Sequence, residues 1–197
     1  MKRKPTHQKK GFKTKQQVAQ DYVALAQKYR QAGRFRKAQN ALRVAINGFS
    51  SLAEAHNEMG LIYRQTGESE TAIQSNQRAL KLKPKSAPIS LNLGICYLYQ
   101  EDESRAIHYF KRAVALNPRY GYAHFNLGST YFDQNHYDVA IQHLERSIRL
   151  DPHFLAAYEI CAMAYMLLKD KSRAQALYEK AEKIKRKIRL KHAVGGI

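Results

Sequence analysis

Residues 87–120 read APISLNLGICYLYQEDESRAIHYFKRAVALNPRY, and residues 121–154 read GYAHFNLGSTYFDQNHYDVAIQHLERSIRLDPHF. Laid over one another, Leu93 falls on Leu127, Gly94 on Gly128, Tyr97 on Tyr131, Ala106 on Ala140 and Pro118 on Pro152. The register holds in both directions. Ala38, Ala72, Ala106, Ala140 and Ala174 recur every 34 residues, as do Tyr29, Tyr63, Tyr97, Tyr131 and Tyr165. A second small-residue column holds Ala26, Gly60, Gly94, Gly128 and Ala162, and a third holds Ala45, Ala79, Ala113, Ser147 and Ala181. Five units therefore run from Ala19 to Ile188, with 18 residues before them and 9 after. Self-similarity at a fixed period of this size is the mark of a repeat architecture.

Within a unit the apolar spacing is helical twice over. Leu127, Tyr131 and Phe132 follow one face, and after Gln134-Asn135-His136 the pattern restarts with Ala140, Ile141, Leu144 and Ile148. Each unit is thus expected to be a helical hairpin. Gly33, Gly67 and Asn135 stand between the two helices, where a residue tolerant of positive φ ends the first one. The small-residue columns let two backbones approach closely, while the recurring tyrosine fills the space beside them. Pro84, Pro118 and Pro152 stop the second helices, because proline lacks the N–H and disfavours helix in the residue before it.

Leu93, Gly94, Tyr97, Ala106, Phe110, Ala113 and Pro118 match the signature of the tetratricopeptide repeat, and the resemblance spans about 170 of the 197 residues. It implies an all-α fold, a right-handed superhelix (α-solenoid) of five tandem hairpins at 19–52, 53–86, 87–120, 121–154 and 155–188. The first helices of such an array line a concave groove that binds a peptide or a helix of another protein. Two departures from the pattern stand out. Asn76 occupies the site held by Leu42, Phe110, Leu144 and Tyr178 in the other units, which predicts a softer second repeat. Arg186 replaces the terminating proline of the fifth unit, so the last helix is expected to run on to about Lys191, with residues 189–197 as a basic extension and tail that serves as the cap.

By that resemblance, positions 2, 5, 6, 9, 12 and 13 of each unit face the groove. In the first two units they are mostly polar, with Gln27, Arg30 and Glu58 among them. In the last three they are apolar and aromatic. The candidate partner-binding residues are Leu91, Asn92, Ile95, Tyr99, Tyr122, Phe125, Asn126, Ser129, Phe132, Ile160, Met163 and Met166. A long apolar strip marks an interaction site, and Asn92 and Asn126, at equivalent positions, suit the backbone of an extended ligand. The competing reading makes some of these side chains hairpin-to-hairpin core, or has them covered by the chain's own end or by a second copy. The carboxylate clamp known in the family is not matched: Leu91, Phe125, Ala156 and Ile160 stand at its flanking sites. An acidic chaperone tail is therefore a poor fit to the groove.

The net charge of +18 is concentrated at the ends. Residues 1–18, expected to form a disordered basic arm, carry +7, residues 183–191 carry +6, and the remainder only +5. Lys2, Arg3, Lys4, Lys9, Lys10, Lys13 and Lys15, with Lys185, Arg186, Lys187 and Arg189, are the candidate polyanion-binding residues. The alternative functional reading is thus an RNA-, ribosome- or anionic-membrane-associated factor held by its ends, or tails that are simply solvated.

Other classes find little support. No apolar stretch of 18 residues exists to span a bilayer, and the basic N-terminal segment is followed by no apolar region of the kind a signal peptide needs. Two cysteines and eight scattered histidines supply neither a disulfide framework nor a metal spacing. Cys96 and Cys161 are expected to be buried thiols, and His136 and His143 to be surface or capping residues. With no phosphate loop or nucleophile elbow, the chain reads as a non-enzymatic cytoplasmic scaffold without cofactor or metal, whose partner is a protein and whose repeats allow self-association.

Overall fold

The computed structural model describes residues 13–194, and within them the chain is all helix and turn. The ten helices are α1 (Lys15–Gln31), α2 (Phe35–Gly48), α3 (Ala53–Gln65), α4 (Ser69–Leu82), α5 (Ala87–Leu98), α6 (Glu103–Leu116), α7 (Gly121–Asp133), α8 (Tyr137–Leu150), α9 (Leu155–Leu167) and α10 (Lys171–Val194). They pair in chain order as five hairpins, each an antiparallel contact between consecutive helices. Two compact units result: α1–α4, up to Lys83, and α5–α10, from Pro84 onward.

Helix ends follow local chemistry. α4, α6 and α8 each stop two residues before Pro84, Pro118 and Pro152, at Leu82, Leu116 and Leu150. α10 meets Arg186 instead of a proline and continues to Val194. Ser86 and Asp102 cap α5 and α6 by accepting from the Ile89 and Arg105 backbone N–H. α1 begins four residues ahead of the repeat frame. The Thr14 hydroxyl accepts from the Gln17 N–H, and the Gln17 side chain accepts from the Thr14 N–H, a reciprocal capping box that starts the helix at Lys15. The outer part of the segment read as a disordered arm, residues 1–12, lies outside the described residues, whereas 15–18 are the first turn of α1.

Every hairpin turn holds one residue with positive φ: Gly33 (69°), Gly67 (84°), Glu101 (59°), Asn135 (62°) and Lys169 (65°). The small residues sit where the two helices of a hairpin touch. A Cβ on Gly94 would lie 2.5 Å from a ring carbon of Phe110, and one on Gly128 would lie 2.9 Å from Cγ of Leu144 and 3.0 Å from the Ala140 carbonyl oxygen. At Gly60 the opposing group is the Asn76 amide, 2.4 Å from such a Cβ. Asn76 is fully buried and donates through Nδ2 to the Ala72 carbonyl (3.0 Å), so it takes the volume that Leu42, Phe110 and Leu144 fill in other hairpins. Tyr178, the fifth residue of that column, remains 36% exposed, with no further hairpin packed over it among the described residues.

The tyrosine column is half packing and half cation platform. Lys37 lies over Tyr29, Arg105 over Tyr97 and Arg173 over Tyr165, each eight residues on, while Tyr131 receives Lys111 of α6 instead because Val139 stands at the equivalent place. Cys96 and Cys161 are both free and buried.

Candidate functional site

In the α1–α4 unit three of the polar groove positions satisfy one another. Gln27 Nε2 and Arg30 Nε of α1 donate to the two carboxylate oxygens of Glu58 on α3, both at 3.0 Å. Glu58 is buried, and this three-residue network ties the first helices of the two hairpins together. Gln27, Arg30 and Glu58 therefore serve cohesion and offer little to a ligand.

The α5–α10 unit differs. α7 and α9, the first helices of the fourth and fifth hairpins, approach each other directly. The predicted residues divide into three groups. Leu91 is buried and presents no open surface, which corrects its placement in the groove: its side chain is packing. Asn92, Ile95, Phe125, Asn126, Ser129, Phe132 and Ile160 are half-buried. Phe125, Phe132 and Ile160 lean on the core formed by Ile141, Leu144, Cys161 and Tyr165, so for them the packing reading holds as well. Asn126 donates from Nδ2 to the Tyr122 carbonyl one turn back (2.7 Å), which occupies one of its two amide hydrogens. Tyr99, Tyr122, Met163 and Met166 are exposed, Tyr122 by 56% and each methionine by 45%, and Leu167 beside them by 53%.

Phe154, which sequence reasoning did not single out, completes the aromatic part. Its ring lies 4.5 Å from that of Phe125 and 5.0 Å from that of Tyr122. The signal for it was the repeat register, since Phe154 occupies the same final position of its unit as Tyr120. The arrangement is a set of polarizable, adaptable side chains. Such a surface can hold an apolar face by contact.

A pair of imidazoles, His124 buried and His143 half-buried, lies within the fourth hairpin. His124 Nδ1 of α7 and His143 Nδ1 of α8 are 3.2 Å apart, and His124 Nε2 is 3.2 Å from the Pro118 carbonyl oxygen. A carbonyl only accepts, so His124 carries its hydrogen on Nε2, and His143 donates through Nδ1 to the bare Nδ1 of His124. Burial holds both imidazoles below their ordinary range. Arg146 and Arg149 add to this for His124, and His124 and Lys111 for His143. His143 is thus a packed hairpin contact and not the surface or capping residue expected, whereas His136 is exposed at the start of α8.

Of the polyanion candidates, Lys2, Arg3, Lys4, Lys9 and Lys10 lie outside the described residues. Lys13 forms an ion pair with Asp21. Lys15 is exposed in the first turn of α1. Lys185 bridges Glu159 of α9 (2.9 Å) and Glu182 (3.1 Å), so it fastens α10 to α9. Arg186, Lys187 and Arg189 are exposed. Among the described residues there is no group of three or more potential metal ligands, and no helix is long and apolar enough to cross a membrane.

Family models of the tetratricopeptide repeat match residues 91–153 and 126–187, and a further one matches residues 51–119. Solved structures are similar over most of the chain. The crystal structure of MamA is 28% identical, with a TM-score of 0.73 over 83% of this chain and 95% of that one. PilF of Pseudomonas aeruginosa is 21% identical, with a TM-score of 0.82 over 87% and 78%. YrrB, whose crystal structure is presented as that of a TPR protein with an unusual peptide-binding site, is 21% identical, with a TM-score of 0.67 over 91% and 92%. No curated protein matches in sequence.

Proposed function

The chain belongs to the tetratricopeptide repeat family, whose members mediate protein–protein interactions, and from that premise we propose that it is a non-enzymatic cytoplasmic scaffold holding a partner's peptide or helix along α7 and α9. The observation that carries this reading is the exposure of Tyr122, Met163, Met166 and Leu167 on two adjoining first helices, where family members present their ligand surface. Four large side chains left this open cost solvation free energy in the isolated chain, and a partner's apolar face removes that cost. Methionine adapts its shape to what it meets, and tyrosine offers wide contact with little rotamer loss. The two buried, reduced thiols are consistent with the compartment. Attachment through the basic ends draws on fewer described residues, since Lys13 and Lys185 are already held in ion pairs.

The test is quantitative affinity purification of the wild-type chain beside a Met163→Gln, Met166→Gln, Leu167→Gln variant, with a photo-crosslinking residue at position 163 in a third sample. Because these side chains contribute little to the core, the variant keeps its helical circular dichroism. The expected result is a partner that crosslinks at position 163 and is lost at least about tenfold from the variant. Equal recovery of every partner by the two proteins would refute the groove reading.

A further inference from the structure

Away from the groove, the second half of α10 and the loop between α8 and α9 enclose a cleft of a different character. The loop is stitched in place: His153 N–H donates to the Asp151 carboxylate (3.0 Å), and the Tyr158 hydroxyl of α9 donates to the Pro152 carbonyl (3.3 Å). Facing it, Lys180, Lys183, Ile184, Lys187 and Ile188 follow one another at the spacing of a single helical face. Two adjoining cavities of about 170 and 290 Å³ open there and share His153, Ile184 and Lys187 as walls.

The floor of the cleft is apolar. Tyr158 and Ile184 close the small core at the end of the fifth hairpin, and Ile188, one turn on, is 43% exposed. The rim is basic: Lys180, Lys183 and Lys187 border the cavities, no acidic residue lines either one, and none of the three lysines forms an ion pair among the described residues. Of the acids nearby, Glu159 and Glu182 are both taken by Lys185, Asp151 accepts from the His153 N–H, and Glu179 accepts from the Gln175 amide. Polar charge surrounding an aliphatic floor selects a ligand with the converse pattern.

We propose that this cleft is a second docking site, for an acidic segment of a partner protein that seats a bulky apolar side chain on Ile184, Ile188 and Tyr158 and sets carboxylates against Lys180, Lys183 and Lys187. Charge complementarity carries the acidic part. The outer lysines, seven residues apart on the helix, are roughly 10 Å from one another along its axis, a span of two helical turns or about three extended residues of the partner. The apolar floor carries the apolar part and argues against nucleic acid, whose bases gain from exposed aromatic faces, since Tyr158 is buried and Ile188 offers none. It also argues against a bilayer surface, because Ile184 is turned into the protein and the floor is concave instead of forming an outward stripe. A second copy of this chain carries the same net charge of +18 and would be repelled. The proposal does not depend on the α7 and α9 surface.

Fluorescence anisotropy on the full chain tests it with four probes. These are a fluorescein-labelled twelve-residue peptide with two central leucines between runs of glutamate, the same peptide with serines for the leucines, a twenty-nucleotide polyuridylate, and vesicles of mixed phosphatidylserine and phosphatidylcholine. The leucine peptide should bind at least about tenfold more tightly than the serine peptide. The Lys183→Glu, Lys187→Glu variant should bind it at least about tenfold more weakly. Ile188→Ser, at a half-exposed position that the fold does not need, should cost about fivefold. Lys171→Glu, an equal type of charge reversal at the far end of α10, should bind as wild type. The proposal is overturned by absent peptide binding, by equal binding of the two peptides, by an Ile188→Ser variant that binds like wild type, or by preferential binding of RNA or vesicles through Lys183 and Lys187.

Discussion

Gly94→Ala sets two known effects against each other at one atom. In a helix interior, alanine is favoured over glycine by about 1 kcal/mol, so on α5 alone the substitution stabilises. The new methyl group, however, would lie 2.5 and 2.6 Å from two ring carbons of Phe110 and 3.2 Å from the Ala106 carbonyl oxygen, where carbon contacts prefer roughly 3.5–4.0 Å. Phe110 is fully buried, and the third atom is backbone of α6. Relief therefore requires the two helices to separate, which places the cost near the upper end of the usual overpacking range, about 3 kcal/mol. The net expectation is a loss of about 2 kcal/mol, equivalent to roughly 4–8 °C in melting temperature for a chain of this size. Circular dichroism melts measure it, and amide exchange should show the loss in α5 and α6 before α1 and α2, since repeats communicate through neighbours. Gly48→Ala is the control: it ends α2 with nothing within 4 Å of the new carbon, and it should gain stability or leave it unchanged. Trimming the ring should rescue the clash, so Gly94→Ala and Phe110→Leu together should lose at least about 1 kcal/mol less than the sum of the two singles. A Gly94→Ala chain that melts at or above the wild-type temperature, or strict additivity with Phe110→Leu, would refute the close-contact argument.

Glu58→Ala strands Arg30 and Gln27, and should cost about 2–3 kcal/mol in urea unfolding. The His124–His143 pair makes stability fall in acid. Both folded imidazoles sit below their unfolded range, so the unfolded chain binds more protons as pH drops through about 6.5, and the native state loses ground until the folded values are passed. Urea midpoints at pH 7.5 and 5.5 should differ more for wild type than for His143→Gln. Burial and the charge of Glu145 push the Cys161 thiol up to about 12, so a disulfide reagent at pH 8 should label it only after guanidinium unfolding. Its sign is opposite to that of the histidines: stability is kept below the ordinary thiol value and declines as pH rises from there toward 12.

The repeat frame was legible because each unit must present the same contact to the next, and a contact that tolerates only hydrogen at Gly94 or Gly128 leaves a residue column behind. The run of α10 past Arg186 was legible for the same local reason, the missing proline. The start of α1 was readable from Thr14 and Gln17 but not from the repeat register, which says nothing before its first unit. The candidate groove was only half legible. The family resemblance assigns Leu91, Phe125, Phe132 and Ile160 to the inner face of their helices, yet the depth at which neighbouring hairpins pack decides that Leu91 is buried while Met163 is open. His124 and His143 stand 19 residues apart on two helices, and their meeting depends on rotation about both axes, for which the sequence carries no marker.

The hairpin turns bear on how such a chain can be rewritten. A left-handed backbone costs an ordinary residue roughly 1–2 kcal/mol, whereas glycine there leaves the unfolded chain about 0.4–1 kcal/mol more conformational freedom to lose. These penalties oppose each other and differ by little. Glu101 and Lys169 can therefore stand where Gly33 and Gly67 stand, at a small net cost. The turn tips are consequently the places where charge can be exchanged without disturbing any helix contact. Two of the five already carry opposite signs, so the electrostatic character of the hairpin tips can drift independently of the architecture beneath them.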